Sequence, residues 1–338
     1  MSIRSFGLYI NFAATHTPYS ERVLQQGHGN CPPGKLVPDP HHRSMKELQI
    51  MNRRKFLAVS MASAGALAAP AIVSAAGKPV IKVGLGPQQP TQADTLRVWE
   101  PIYNEIAERV GARLQLNVAN DWAGIATALS NEQVDLSQMG PWGYVLARNS
   151  GNARPICVML VDGKPVYHAI IVARPGLELP SFPESAKGMS MQMLDVGSTS
   201  GWLVPTHYLK SQGIDPKTFF GQYAEGASAA AAQMATAESQ VDLATGWDTH
   251  RNTMIRNGTI REDSNVVVWK SDPLPNEVVA VRSGLDPDMS AALQKAFVEL
   301  RDEIRQQLPE PYSGFEATTH EPYAVLETMG RDLGVLRS

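Results

Sequence analysis

The chain has 338 residues, 43% of them hydrophobic and 19% charged, proportions of a globular protein of about two domains and not of a fibrous, disordered or membrane-embedded one. Its net charge of −3 conceals an asymmetry: residues 1–76 hold 8 bases and 3 acids, which leaves 22 bases and 30 acids in residues 77–338. A body that acidic argues against nucleic acid as a partner. Of the two cysteines, Cys31 lies in an N-terminal region expected to be removed, so Cys157 has no partner for an internal disulfide.

Residues 1–50 show no apolar period and include a Pro/His/Gly-rich stretch from His28 to His42, which reads as a disordered leader or an extension upstream of the true start at Met51. Residues 51–76 begin with Arg53-Arg54-Lys55, continue as a small-residue apolar run and reach Val73-Ser74-Ala75. That is the anatomy of an export signal, and the paired arginines point to the twin-arginine machinery. An apolar run rich in Ala, Gly and Ser and broken by Pro70 makes a poor membrane span. The mature protein is therefore expected in the periplasm.

From Val80 the pattern alternates between strand and helix. Val80–Gly86 is a short strand, 95–110 a helix with Leu96, Trp99, Ile102, Tyr103 and Ile106 on one face, Leu114–Val118 a strand, and Trp122–Ser130 a helix. Val134–Ser137 is a strand that runs into Gly140-Pro141-Trp142-Gly143-Tyr144, and Tyr167–Ala173 is an apolar strand. A second unit holds the strand Met189–Leu194, the loop 195–201, the helix Trp202–Gln212, an alanine-rich helix 228–238, and the strands Val241–Thr245 and Val266–Lys270. Apolar Val278–Val281 and two amphipathic helices, 289–307 and 323–333, complete the chain. Strands alternating with helices predict an α/β fold whose ligands sit at the carboxyl ends of parallel strands. The expected division is a first lobe of residues 77–175 and 279–338 and a second lobe of residues 176–278, joined by two crossing strands that form a hinge.

Gly197-Ser198-Thr199-Ser200-Gly201 joins a predicted strand to a predicted helix. The first N–H groups of a helix lack intrahelical acceptors and carry partial positive charge, and three hydroxyls add donors without net charge. Together they suit a tetrahedral oxyanion; the plainer alternative is that one hydroxyl only caps the helix. A nucleophile elbow would require Ser at the centre of the motif, where this chain has Thr199. No phosphate loop and no H-E-x-x-H motif occurs, and the histidines after residue 77 (His168, His207, His250 and His320) have no metal-ligand spacing. No cofactor is expected.

The segments Gly140-Pro141-Trp142-Gly143-Tyr144, Gly197–Gly201 and Gln240-Val241-Asp242-Leu243-Ala244 resemble the phosphonate-binding proteins of ABC transporters. The nearer likeness is to relatives that bind phosphite or hypophosphite, through Thr199-Ser200-Gly201-Trp202-Leu203, Glu225-Gly226-Ala227 and Arg251-Asn252-x-Met254-Ile255. The resemblance extends over residues 80–335 and implies a type II periplasmic binding fold, a small phosphorus oxyanion as ligand, an ABC permease and its ATPase as partners, a monomer, and no catalysis. It also implies a ligand set: Ser198, Thr199 and Ser200 on phosphorus oxygens, Tyr144 reaching the same oxygens, Trp122 where aminoalkylphosphonate binders carry tyrosine, and Asp248 matching an aspartate of the reduced-phosphorus binders. Glu277 stands where those aminoalkylphosphonate binders have aspartate, and Ala229 where they have histidine, departures that count against an aminoalkylphosphonate ligand.

A carboxylate beside an anion makes sense if a P–OH donates to it, and Glu277 and Asp248 are the candidate acceptors, each with a surface or hinge role as the alternative. Trp122 and Trp142 fall in expected ligand-facing loops and Trp202 and Trp247 flank the second-lobe motifs, either as aromatic walls against a P–H or P–CH3 group or as core residues. Tyr167 and His168 either line the cleft or shape the hinge. The function expected is a solute receptor for phosphite, hypophosphite or a short alkylphosphonate. The alternatives are a secreted hydrolase with Ser198 or Ser200 as nucleophile and His168 or His250 as base, and a receptor of the same fold for another oxyanion.

Overall fold

The computed structural model describes residues 77–89 and 91–336; the expected leader and export signal lie outside the described residues. The elements in chain order are β1 (Val80–Leu85), α1 (Gln92–Arg109), β2 (Arg113–Val118), α2 (Trp122–Ser130), β3 (Leu136–Met139), α3 (Pro141–Asn149), β4 (Ala153–Val161), β5 (Val166–Tyr167) and β6 (Ala169–Ala173). There follow β7 (Ser190–Leu194), a π-helical turn Thr199–Leu203 continuing into α4 (Val204–Ser211), α5 (Pro216–Phe219), β8 (Gln222–Ala227), α6 (Ala229–Ala237), β9 (Leu243–Trp247) and α7 (Asp248–Arg256). The chain closes with β10 (Val266–Lys270), β11 (Leu274–Pro275), β12 (Val278–Arg282), α8 (Pro287–Val298), α9 (Asp302–Arg305), β13 (Tyr312–Ala317) and α10 (Ala324–Asp332).

Two sheets result. The first has the order β13-β4-β12-β3-β1-β2 and the second β10-β6-β9-β7-β8. In each, three parallel strands (β2-β1-β3 and β8-β7-β9) are followed by an antiparallel strand that has just arrived from the other half of the molecule, β12 in the first sheet and β6 in the second. Between the sheets, β5 and β11 pair antiparallel, Leu274 opposite Tyr167. This two-strand ribbon links the two halves of the molecule, where the sequence predicts a hinge.

Burial explains the sheets. The α1 face of Trp99, Ile102, Tyr103 and Ile106 is wholly buried with Ile81, Val83 and Leu85 of β1, and each such side chain removed from water contributes about 1.5–3 kcal/mol. Thr91 starts α1 by accepting from the Asp94 N–H at 3.0 Å. Ala169–Ala173 is buried along its whole length, as a strand covered on both faces must be.

The expected division needs a correction at this strand. Residues 169–173 were assigned to the first lobe, yet they pair with β9 and β10 in the second sheet; a continuous apolar run carries no sign of which sheet receives it. The chain leaves the first lobe at Val166–Tyr167 and returns through Leu274–Pro275. The expected helix 289–307 is two helices, 287–298 and 302–305, and the strand Tyr312–Ala317 was not foreseen. No helix among the described residues is long and apolar enough to cross a membrane.

Candidate functional site

A chamber opens where the hinge meets both lobes. Its lining includes Trp122, Gly140, Pro141, Tyr167, Gly197, Ser198, Thr199, Ser200, Trp247, Thr249, Asn276, Glu277 and Tyr312, and the space open to the centre of a water molecule is about 30 Å³. The first turns of α2, α3 and α7 and of the π-helical turn before α4 all reach it, so aligned peptide dipoles present their positive ends to one point. Among the described residues no lysine, arginine or histidine lines it. An anion held here is held by dipoles and neutral donors.

The hydroxyl run is built as the strand-to-helix turn demands. Ser198 caps the π turn, its Oγ accepting from the Gly201 N–H at 3.1 Å, and its carbonyl accepts from Leu203 N at 3.0 Å. Thr199 Oγ1 accepts from the Trp142 N–H at 2.9 Å. In both cases the oxygen is used as an acceptor, which leaves the Ser198 O–H proton available to a ligand. All three hydroxyl residues are buried and reach the chamber, and the Tyr167 phenol of the hinge faces the Ser200 and Thr199 hydroxyls. The capping role and the ligand-facing role are thus compatible at Ser198.

Glu277 lies on the opposite wall, 8% exposed. Its Oε2 accepts from Gln138 Nε2 at 3.1 Å and Gln88 Nε2 at 3.0 Å, and the Tyr312 hydroxyl also donates to this carboxyl group. Burial pushes its pKa up to about 7, against the lowering effect of the Gln138 and Tyr312 hydrogen bonds. Beside it, Asn276 fixes its amide by accepting the Glu277 N–H on Oδ1 at 2.8 Å, which leaves a buried Nδ2 with no protein partner. Buried amide donors are rarely left unpaired; here the donor belongs to a chamber wall.

Two expected residues stand elsewhere. Tyr144 is fully buried, its hydroxyl 3.0 Å from His320 Nδ1 and its ring edge-on to Tyr323 at 5.1 Å. It is the fourth residue of α3, a position turned into the first lobe, so only the Gly140-Pro141 part of that motif touches the chamber. Asp248 does not line the chamber either: Oδ1 accepts from the backbone N–H groups of His168 (3.1 Å) and Thr249 (2.8 Å), and Oδ2 pairs with Lys270 Nζ at 3.1 Å. It ties the start of α7 to the hinge, the alternative role open to it. Trp122 and Trp247 are aromatic walls, whereas Trp142 is buried in the core and Trp202 donates to Glu225 Oε1 at 3.0 Å outside the chamber. Sequence reasoning missed Asn276, Thr249 and Tyr312 as wall residues and left Tyr167 open.

A second, larger chamber, about 390 Å³ by the same measure, adjoins it, sharing Trp122, Trp247, Thr249, Glu277 and Tyr312, and is also lined by Asp121, Asp195 and His250. The His250 ring lies against Trp247, centroids 4.8 Å apart and planes tilted by 35°, and His168 Nδ1 is 2.8 Å from the Ser271 carbonyl oxygen. Among the described residues no hydrogen bond joins a histidine to Ser198 or Ser200, so the serine–histidine pair of the hydrolase alternative is not assembled. No group of three or more His, Cys, Asp or Glu among the described residues has the arrangement of a metal site.

The two lobes touch beside the chamber. The Trp142 indole N–H donates to the Val196 carbonyl at 3.2 Å, the Trp122 N–H donates to the Asp195 carboxylate, and Gly197 lies against the backbone of Trp122 and Ala123.

The family model described as the phosphonate ABC transporter periplasmic substrate-binding protein matches residues 84–323. The chain is 27% identical over 218 residues to the phosphate-import protein PhnD of Mycolicibacterium smegmatis, an alignment covering 61% of this chain and 68% of that protein. It is 24% identical over 191 residues to the phosphonates-binding periplasmic protein of Escherichia coli, covering 55% of this chain and 56% of that relative, little more than half its length. Among solved structures, a binding protein component of an ABC phosphonate transporter from Pseudomonas aeruginosa is similar with a TM-score of 0.64 at 21% identity, covering 77% of this chain and 97% of that one. PhnD1 of Prochlorococcus marinus in complex with methylphosphonate has a TM-score of 0.66 at 19% identity, covering 76% and 98%.

Proposed function

The chain belongs to the periplasmic substrate-binding proteins of phosphonate ABC transporters, and from that premise we propose that it captures one small phosphorus oxyanion between its lobes and delivers it to an importer. The reading is carried by one observation: three buried hydroxyls and an unpartnered Asn276 amide converge on a small chamber without a cation. Such a set donates hydrogen bonds to several oxygens of a tetrahedral anion. Trp122 and Trp247 supply ring faces against which a P–H or P–CH3 group rests and a further oxygen would lose its hydrogen bonds. Phosphite, hypophosphite and methylphosphonate fit these demands; the methylphosphonate held by the Prochlorococcus relative supports the last.

The partners in this reading are an ABC permease and its ATPase, the export route is the twin-arginine machinery, and the receptor works as a monomer that closes by bending at the β5–β11 ribbon. Isothermal titration against phosphite, hypophosphite, methylphosphonate, 2-aminoethylphosphonate and phosphate tests it. Binding of the first three in preference to the last two is the expected result. No heat with any of the five at micromolar protein overturns the reading.

A further inference from the structure

Among the described residues Glu277 is the one carboxylate lining the small chamber, and the groups around it explain what an anion would meet there. Gln138 of β3 donates to it and is itself held by the Tyr103 hydroxyl of α1 at 2.8 Å; Gln88 comes from the loop after β1, and Tyr312 from β13. The titratable groups near it are Tyr103, Tyr312 and Tyr167, each kept neutral by burial, and Cys157 of β4, whose thiol burial pushes up to about 12. The Asp248–Lys270 ion pair beside the hinge is already closed on itself at 3.1 Å. The second chamber adds Asp121, Asp195 and Glu310, the last paired with Arg256 at 3.5 Å, and, as the one basic side chain on its wall among the described residues, a half-buried His250 whose pKa burial lowers to about 4. Among the described residues no lysine or arginine lines either chamber, so only helix dipoles and neutral donors would offset two adjacent negative charges.

We propose that the complex holds one proton in a hydrogen bond between the Glu277 carboxyl group and a ligand oxygen, and that binding from alkaline solution takes this proton from the solvent. The inference rests on the oxyanion reading and deepens it. A ligand with a P–OH brings the proton itself and donates to the carboxylate; a ligand without one receives a hydrogen bond from the protonated carboxyl group. In both complexes the pair carries one proton that the separated, fully ionised partners lack. Glu277, buried and with a pKa near 7, is poised to supply the second arrangement without a large penalty at neutral pH.

Hypophosphite isolates the protein's share, because its anion has two oxygens and no hydroxyl group, so any proton gained on binding resides on the protein. Isothermal titration at pH 8 in buffers of different ionisation enthalpy is expected to show uptake of close to one proton per hypophosphite bound. Glu277→Gln, which keeps the shape and supplies a fixed N–H donor, is expected to bind with no proton uptake. Wild-type affinity should fall about tenfold per pH unit above pH 7, while that of the variant stays flat. Hypophosphite binding by the wild type without proton uptake overturns the proposal. A second arm needs no ligand: infrared spectra of the free protein should show a protonated carboxyl band that titrates near pH 7 and is missing in Glu277→Gln, and a Glu277 already ionised at pH 5.5 also overturns it. Should that band titrate as expected while hypophosphite, phosphite and methylphosphonate all fail to bind, it is the oxyanion reading that falls, taking the shared-proton complex with it.

Discussion

At the level of single residues, the hydroxyl triplet was legible because Gly-Ser-Thr-Ser-Gly at a strand-to-helix junction has few other uses, and all three side chains reach the chamber. Tyr144 was not, since proximity to Gly140-Pro141 says nothing of direction once a helix begins; three residues into α3 its ring meets Tyr323 and His320. Asn276 shows why short polar residues escape notice: only its fixed Oδ1, 2.8 Å from the Glu277 N–H, reveals that Nδ2 is the free end. That geometry makes a sharp prediction. Asn276→Asp keeps an oxygen for the Glu277 N–H but replaces the free donor with an acceptor facing the ligand. Binding of methylphosphonate or phosphite should weaken by about 3 kcal/mol or more, beyond the usual cost of one hydrogen bond to a charged group because a repulsion replaces it. Titration calorimetry checks it; affinity within twofold of wild type would remove Asn276 from the binding surface.

At the level of elements, some were legible in the sequence and others, β4, β8 and β13 among them, were not. Helix 122–130 matches its expectation because Asp121 caps it, accepting from Gly124 N at 2.6 Å, and its apolar residues repeat regularly. Strand 312–317 went unseen since its pairing with β4 shifts register between Tyr312 and Gly314, which breaks the alternation by which a half-buried strand is recognised. The missed strand carries Tyr312, so one unrecognised element removed one wall residue from view. Asp248 illustrates the reverse: an acid expected at the ligand proves to organise an element junction, holding the His168 and Thr249 N–H groups and pairing with Lys270. Asp248→Ala should therefore cost stability, about 1–3 kcal/mol for two backbone donors left without their acceptor, and leave the affinity for the oxyanion within about threefold. Urea denaturation and calorimetry on the same sample separate the two effects; a loss of binding larger than the loss of stability would return Asp248 to the site.

At the scale of the whole molecule, the two-lobed plan and the return of β12 to the first sheet were legible, whereas the sheet that receives β6 was not, because that strand is apolar throughout. The lobe contact also lay beyond the sequence. A methyl group on Gly197 would sit 2.4 Å from Ala123 N and 2.8 Å from the Trp122 carbonyl carbon, both backbone atoms of the opposite lobe. Backbone cannot turn aside as a side chain does, so Gly197→Ala is expected to hold the lobes apart, fold normally, and lower ligand affinity at least tenfold; X-ray scattering with saturating ligand should give a larger radius of gyration than wild type, and equal radii would sink the idea. Glu277 and His250 are also expected to contribute to the pH dependence of folding. Burial raises Glu277 from 4.5 to about 7 and lowers His250 from 6.5 to about 4. Between pH 4.5 and 7 the folded state holds the Glu277 proton that the unfolded chain has lost, so this contribution to stability declines as pH rises. Between pH 4 and 6.5 the unfolded chain holds a His250 proton that the folded state excludes, so that contribution grows as pH rises. Each amounts to about 3 kcal/mol across its window, and they oppose one another from pH 4.5 to 6.5. The wild-type contribution of this pair should be nearly flat there. Urea midpoints of Glu277→Gln should rise with pH from 4 to 6.5 relative to wild type, as the His250 limb is uncovered, and those of His250→Phe should fall from pH 4.5 to 7; parallel profiles for all three proteins would show that neither group is titrated by folding.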